Sequence, residues 1–380
     1  MAESVPLGGT NPHPMYRVSR EHASAISAVQ RGLADIAVDL HFENDPSMQG
    51  RYGPEGRRLW RTETLARISH LVEAIACHRP ELYGGHVAWA AEALRARGAS
   101  EADIQGHVLA LCSCLSKELP DAVASSLSPF CQAATAAIAD PPDHEHSLIE
   151  ATTQDSTLSR LVLLHLLQRD QEAAASIAVE ALRGGMPLLT VYERIIAPSL
   201  YEIGRMWHMQ EASIADEHFC SAAMRSIVTQ LRASVQAPPA DGRRVLCCTV
   251  GGNFHDIGIR MVADVLEMDG WTVEFLGANV PAHEVVMSIV DSASDERRAF
   301  HLVAASASTL LSVRAAMDLA DAMNAYPEAH DVPLLIGGGV FNADDGLAEA
   351  IGATAAAGSL SEAVAAAARL VPAPGASKPH

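Results

Sequence analysis

Val245-Leu-Cys-Cys-Thr-Val250-Gly-Gly-Asn253-Phe-His255-Asp256-Ile-Gly258 is the stretch whose reading decides the fold. The run Val245 to Val250 reads as a short buried strand, Gly251-Gly252 ends it, and apolar residues at helical spacing follow from Ile257 to Met268. A second strand reads at Thr272-Val-Glu-Phe-Leu276. The rhythm continues through Leu302 to Ser306, Ala315 to Met323 and Leu334-Leu-Ile336, and closes with a helix near Ser361 to Leu370. Strand, helix and strand in alternation predict a doubly wound parallel sheet. In such a sheet ligands sit beyond the carboxyl ends of the strands, so the loops after the first and last strands are where chemistry is expected.

Outward from the sheet, the chain divides at proline-rich stretches: Asp140-Pro-Pro-Asp-His-Glu-His, Gln236-Ala-Pro-Pro-Ala-Asp-Gly, and the tail after Val371. The expected organisation is an N-terminal all-helical domain (1–145), a four-helix bundle (150–236), the α/β domain (243–371) and an unordered tail (372–380). In the first block helical periodicity covers Arg17 to Phe42, Arg57 to Cys77, Glu81 to Arg97, Ala102 to Leu119 and Asp121 to Ala139. Ser100-Glu-Ala-Asp103 reads as a capping box. In the second block it covers Thr157 to Gln168, Glu172 to Arg183, Leu188 to Trp207 and Ser213 to Ala233, and short Gly or Pro breaks between four helices predict a bundle.

Composition narrows the function. With 27 Lys+Arg against 46 Asp+Glu the formal net charge is −19, which argues against direct DNA binding, since phosphate recognition needs clustered cations. No apolar run approaches the ~18–20 residues of a bilayer span, so a cytoplasmic protein with no membrane contact is expected. The seven cysteines form no C-x-x-C pair and read as reduced packing residues. No P-loop, G-x-S-x-G elbow or paired zinc ligands occur, so the chain is not expected to be an enzyme.

Two loops carry the candidate chemistry. Asn253-Phe-His255-Asp256-Ile-Gly258 places an imidazole just past the first strand, and Gly337-Gly-Gly339 strips side chains from the end of the last strand so that a bulky group can lie against backbone. Together they make the region from Arg243 to Leu370 resemble the cobalamin-binding domain of corrinoid proteins, whose pattern is D-x-H-x-x-G, then S-x-L, then G-G. That resemblance implies a flavodoxin-like, Rossmann-like fold. It makes His255 the lower axial ligand that displaces the cofactor's own base from cobalt, Gly258 the glycine that admits the displaced tail, and Ser306, Gly337 and Gly338 the lining of the tail pocket, with Asp256 beside them. Asn253 stands where the family has Asp and Ser308 where Leu is commoner. An amide accepts a hydrogen bond without the charge that raises imidazole basicity, so a weaker bond from His255 to cobalt is expected.

A second constellation, Gly204-Arg-Met-Trp207-His208 followed by Ile214-Ala-Asp-Glu217-His218, resembles the helical cap of CarH-type B12-dependent photoreceptors. The resemblance implies that Trp207, Glu217 and His218 cover the upper face of adenosylcobalamin. It also implies that light changes the cap's position and the oligomeric state, and that His208 takes the vacated cobalt position. A homo-oligomer, dimer or tetramer, follows as the expected assembly, with a regulator or enzyme as downstream partner.

The N-terminal block departs from that family, which begins with a basic winged helix-turn-helix. It is similar instead to the photocobilins, which bind biliverdin as well as cobalamin. Arg51, Arg57, Arg58 and Arg61 near Tyr52 and Trp60, with His78, His86 and His107, are the candidates for such a chromophore; the alternative for the arginines is a solvated helix start. Cys112 and Cys114 read as packing residues. Two other functions share this architecture: a corrinoid carrier for methyl transfer, and a cobalamin-responsive partner of a transcription regulator.

Overall fold

The computed structural model describes residues 14–140, 147–149, 153–295, 297–344 and 346–374. Residues 141–146 of the first linker and 375–380 of the expected tail lie outside the described residues. Backbone contacts divide the chain into two compact units, Asn11–His144 and one containing Glu145–His380.

The first unit is helical throughout: α1 (Pro14–Asn44), α2 (Met48–Tyr52), α3 (Gly56–Ala76), α4 (Pro80–Ala96), α5 (Glu101–Glu118), α6 (Asp121–Ser126) and α7 (Ser128–Ala139). At the start of α5 the Ser100 side chain accepts the Asp103 amide and the Asp103 carboxylate accepts the Ser100 amide, the capping box read from the sequence. The last stretch is two helices because Pro129, at the start of α7, has no N–H with which to continue α6.

In the second unit α8 (Gln154–Leu167), α9 (Gln171–Arg183), α10 (Leu188–Val191), a π-helical turn (Tyr192–Ile196), α11 (Ala197–His208) and α12 (Ile214–Ala233) precede the sheet. What reads as one helix from Leu188 to Trp207 is thus interrupted. Pro198 lacks the N–H that would bond the Arg194 carbonyl, and Ser159 Oγ supplies it at 2.8 Å.

Strands β1 (Arg244–Val250), β2 (Thr272–Val280), β3 (Leu302–Ser306), β4 (Leu334–Gly337) and β5 (Ala355–Ala357) form a parallel sheet in the order β2-β1-β3-β4-β5. The helices between and after them are α13 (Ile257–Met268), α14 (Ala282–Ala293), α15 (Val313–Ala325), α16 (Pro327–His330), α17 (Gly339–Asn342), α18 (Leu347–Ala350) and α19 (Leu360–Leu370). In this order the direction of winding reverses between β1 and β3, which makes the loops leaving those strands the expected ligand crevice.

Helix α13 is apolar on two faces. Ile257, Met261 and Val265 join the core of the preceding helices, while Ile259, Ala263 and Leu266 join the core against the sheet. The larger of these side chains contribute roughly 1.5–3 kcal/mol each on burial, so α13 binds the helices to the sheet, with α19 adding Leu360 to the first core and Ala363 to the second. Among the described residues no helix is long and apolar enough to cross a membrane. All seven cysteines are free.

Candidate cofactor-binding site

The crevice is built by register. Thr249 of β1 pairs with Ser306 of β3, Ser306 with Gly337 of β4, and Gly337 with Ala357 of β5, so one row crosses the carboxyl ends of four strands. Immediately past it, Asn253 is 2% exposed and its amide orientation is fixed. Asn253 Nδ2 donates to the Ser306 carbonyl at 3.0 Å and to Ser308 Oγ at 3.2 Å, which turns Oδ1 toward His255. That oxygen accepts from the His255 amide at 3.1 Å and lies 3.2 Å from His255 Nδ1. An amide oxygen only accepts, so this contact calls for the proton on Nδ1, which in the neutral ring leaves the Nε2 lone pair free. The imidazole is exposed. It is therefore oriented, in the ligating tautomer, and open to a metal. The expected contrast between Asn and Asp here has a local cause: a carboxylate could not donate to the Ser306 carbonyl, and would place oxygen against oxygen.

The glycine loop is held as tightly. Gly338 has φ +120°, and a Cβ there would lie 2.1 Å from the Ala307 carbonyl oxygen. A Cβ on Gly337 would meet the Ala357 carbonyl oxygen at 2.9 Å. Gly258, on the exposed first turn of α13, is different: a Cβ there meets nothing within 4 Å. The space in front of it is open. Asp256 does not face that space alone; its carboxylate is paired with Arg225 of α12 at 2.8 Å.

The same pair brings α12 onto the His255 loop. The first turn of α12 is capped by Ser213 and Asp216, and Asp216 is further bound by Arg169 at 2.6 Å. Glu217 follows, with its carboxylate accepting Ser221 Oγ at 2.7 Å and contacting His218 Nδ1 at 2.5 Å. Burial pushes its pKa up, but the bonds from Ser221 and His218 and the fields of the His218 and His255 imidazoles outweigh it, leaving the carboxyl below its usual range. Glu217 and His255, far apart in sequence, are thus close enough to interact. Trp207 stands across the short turn before α12 and is half-buried, whereas His208 is 3% exposed. His218 is exposed.

Sequence reasoning missed two supports. Thr249 Oγ1 donates to the Asn253 carbonyl at 2.5 Å and accepts the Asn279 amide at 2.8 Å, while Asn279 Oδ1 accepts the Gly252 amide at 2.6 Å. Asn279 has φ +56°, a conformation Asn tolerates better than most residues. In the first unit the arginines near Trp60 prove to be ion-paired: Arg51 with Asp45 and Asp103, Arg57 with Asp39, Arg58 with Glu55, Arg61 with Asp35. Arg67 was not read at all. It is 0% exposed, and all three guanidinium nitrogens lack a hydrogen-bond partner among the described residues.

Comparison with known proteins agrees with this geometry. Residues 243–368 match the family described as B12 binding domain, and residues 160–232 match a second family of the same description. The HTH-type transcriptional repressor CarH of Myxococcus xanthus is 28% identical over 123 residues, which is 32% of this chain and 40% of the repressor, so the chain spans less than half of that relative's length. Monomethylamine corrinoid protein 1 of Methanosarcina barkeri is 23% identical over 201 residues, 52% of this chain and 90% of that protein. The solved structure of the Methanosarcina barkeri monomethylamine corrinoid protein superposes with a TM-score of 0.50 at 21% identity, covering 57% of this chain and all of that one, a likeness of fold.

Proposed function

We propose that this cobalamin-binding chain is a light sensor that holds adenosylcobalamin between its helical layer and its sheet, with His255 beneath the corrin and Trp207 above it. The observation that carries the reading is the exposed His255 imidazole beyond β1, its Nδ1 held 3.2 Å from Asn253 Oδ1, with Glu217 of α12 close enough to interact with it. The residues fit the cofactor: Gly258 leaves open space beside the imidazole, and the closed approach at Gly337 and Gly338 presents backbone in place of side chains. Bound adenosylcobalamin would supply a cobalt–carbon bond that light can break. The chain's part is mechanical. Trp207 packs against the upper ligand, Glu217 and His218 offer it hydrogen bonds, and loss of the ligand leaves the indole facing a void worth a few kcal/mol, about 24 cal/mol per Å³, unless the helices move. A light-dependent homo-oligomer is part of the reading.

The test is reconstitution in the dark followed by green light. The spectrum and the hydrodynamic size should both change, and Trp207→Ala should keep the spectral change while losing at least half of the size change. A size response in Trp207→Ala equal to the parent's would remove the indole from the mechanism. A corrinoid carrier for methyl transfer is the second reading, favoured by the match to the monomethylamine corrinoid protein over 90% of that protein's length. A carrier needs an accessible cobalt face, so it predicts methyl transfer from protein loaded with methylcobalamin and no size response to light.

Biliverdin as a further chromophore of the first unit draws support from Arg67 rather than from the surface arginines. His107, which feels the Arg67 charge, packs against Trp60 and His41; among the described residues His107 Nδ1, Trp60 Nε1 and His41 Nε2 also lack partners, and burial holds His41 at about 4 and His107 well below its usual value. A buried, unpaired guanidinium costs several kcal/mol, and a ligand carboxylate would relieve it. Arg67→Met should therefore stabilise the ligand-free protein by about 1–4 kcal/mol. It should also abolish red absorbance after co-expression with haem oxygenase; parent protein without red absorbance rejects the chromophore.

A further inference from the structure

We propose that Tyr192 is a positioning residue whose single hydroxyl sets the relative placement of the three helices that frame the crevice. The inference rests on the cobalamin reading for its consequence and on the following contacts for its existence. Tyr192 opens the π-helical turn and is 0% exposed. Its hydroxyl lies 2.8 Å from Asp264 Oδ2 on α13 and 3.2 Å from the Val228 carbonyl on α12. Asp264 is 1% exposed, and its other oxygen is paired with Arg260 at 2.7 Å. The hydroxyl donates to the Asp264 carboxylate, the nearer acceptor, with the Val228 carbonyl within reach as a second one. Burial raises the Asp264 pKa in spite of the bonds from Tyr192 and Arg260, so this carboxyl is held out of water by these contacts.

The three helices joined at this point are the ones whose far ends carry the site. At 1.5 Å per residue, Trp207 lies roughly 22 Å along the chain of α10, π turn and α11 from Tyr192; Glu217 lies roughly 16 Å along α12 from Val228; and the His255 loop lies roughly 13 Å from Asp264. Tyr192, Val228 and Asp264 all lie on their helices away from the residues of the site, so the contact ties the three helices together at the end opposite the crevice. No water reaches it to replace a lost bond, so the contact is stiff. The π turn, which leaves the regular hydrogen-bond ladder and whose first residue is Tyr192, adds to the case, since such turns cluster at functional sites.

Hydrogen exchange on the full chain without cobalamin decides the matter. Tyr192→Phe keeps the ring and removes the oxygen. The expected result is about tenfold faster exchange in 204–212 and in 251–257, segments remote from the substitution, while a core variant matched in stability loss, Leu166→Ala, leaves both as in the parent. Asp264→Asn should add nothing to Tyr192→Phe. Faster exchange confined to the turns around 192, 228 and 264, or equal in the matched control, overturns the inference and leaves Tyr192 as a satisfied core residue. With adenosylcobalamin bound, Tyr192→Phe should keep the parent spectrum and lose at least half of the light-driven size change. Parent protein that takes up no cobalamin defeats the functional reading, while the exchange result still stands or falls by itself.

Discussion

His255→Ala loses the axial imidazole, and the bound cobalamin's spectrum moves away from the histidine-ligated form while its affinity falls at least about a hundredfold. The magnitude follows from the hierarchy of contacts. Removing a partner that merely orients a ligating histidine costs about 10–100-fold in metal affinity, and His255 is the ligating group itself. Asn253→Ala, which takes away the oxygen that fixes the tautomer, should fall between parent and His255→Ala. Folding should be indifferent to the first change, because the imidazole is exposed and its side chain makes one hydrogen bond, so the ligand-free melting temperature stays within what about 0.5 kcal/mol allows. Titration by absorbance measures both quantities. A variant with the parent's spectrum and affinity would remove His255 from the site and with it the lower half of the crevice.

That prediction stands on a part of the site legible in the sequence. A histidine five residues after a strand, followed by a glycine three residues on, is local information, and the structure turns it into an oriented ligand through Asn253. Strands β1, β3 and β4 were legible for the same reason, being short apolar runs between turn residues. What was not legible depends on partners distant in sequence. Strand β2 runs past Leu276 to Val280 through two positive-φ residues, Gly277 and Asn279, because β1 offers it pairing that far. Strand β5, Ala355–Ala357, is not among the elements read from the sequence: three alanines favour helix by propensity and become a strand by pairing with β4. The helix Ala282–Ala293 follows a proline and was passed over. The π turn is invisible to a period count. Arg67 hides on a helix with no clear apolar stripe, where an arginine is read as surface; only the packing of its neighbours reveals a buried charge.

Gly338→Ala should destabilise the sheet-bearing unit by at least about 3 kcal/mol and lower its melting temperature by about 6–12 °C. Two independent costs add. Alanine resists φ +120°, a conformation worth on the order of 1–3 kcal/mol of strain. The new methyl would also stand 2.1 Å from the Ala307 carbonyl oxygen and 3.1 Å from Ser308 Cα, both backbone atoms that no rotamer can clear. Relief requires β3 and β4 to part at their carboxyl ends, where Asn253 Nδ2 holds the Ser306 carbonyl, so the damage reaches the His255 loop and cobalamin binding falls with stability. Gly258→Ala separates the two effects. Its methyl meets no protein atom within 4 Å and sits in the first turn of a helix, where alanine outranks glycine by about 1 kcal/mol, so the ligand-free protein should melt at or above the parent. If the open space before α13 is where the cofactor's tail lies, that same harmless methyl weakens cobalamin binding. A Gly258→Ala protein that binds as tightly as the parent would place the tail elsewhere, whatever Gly338→Ala does.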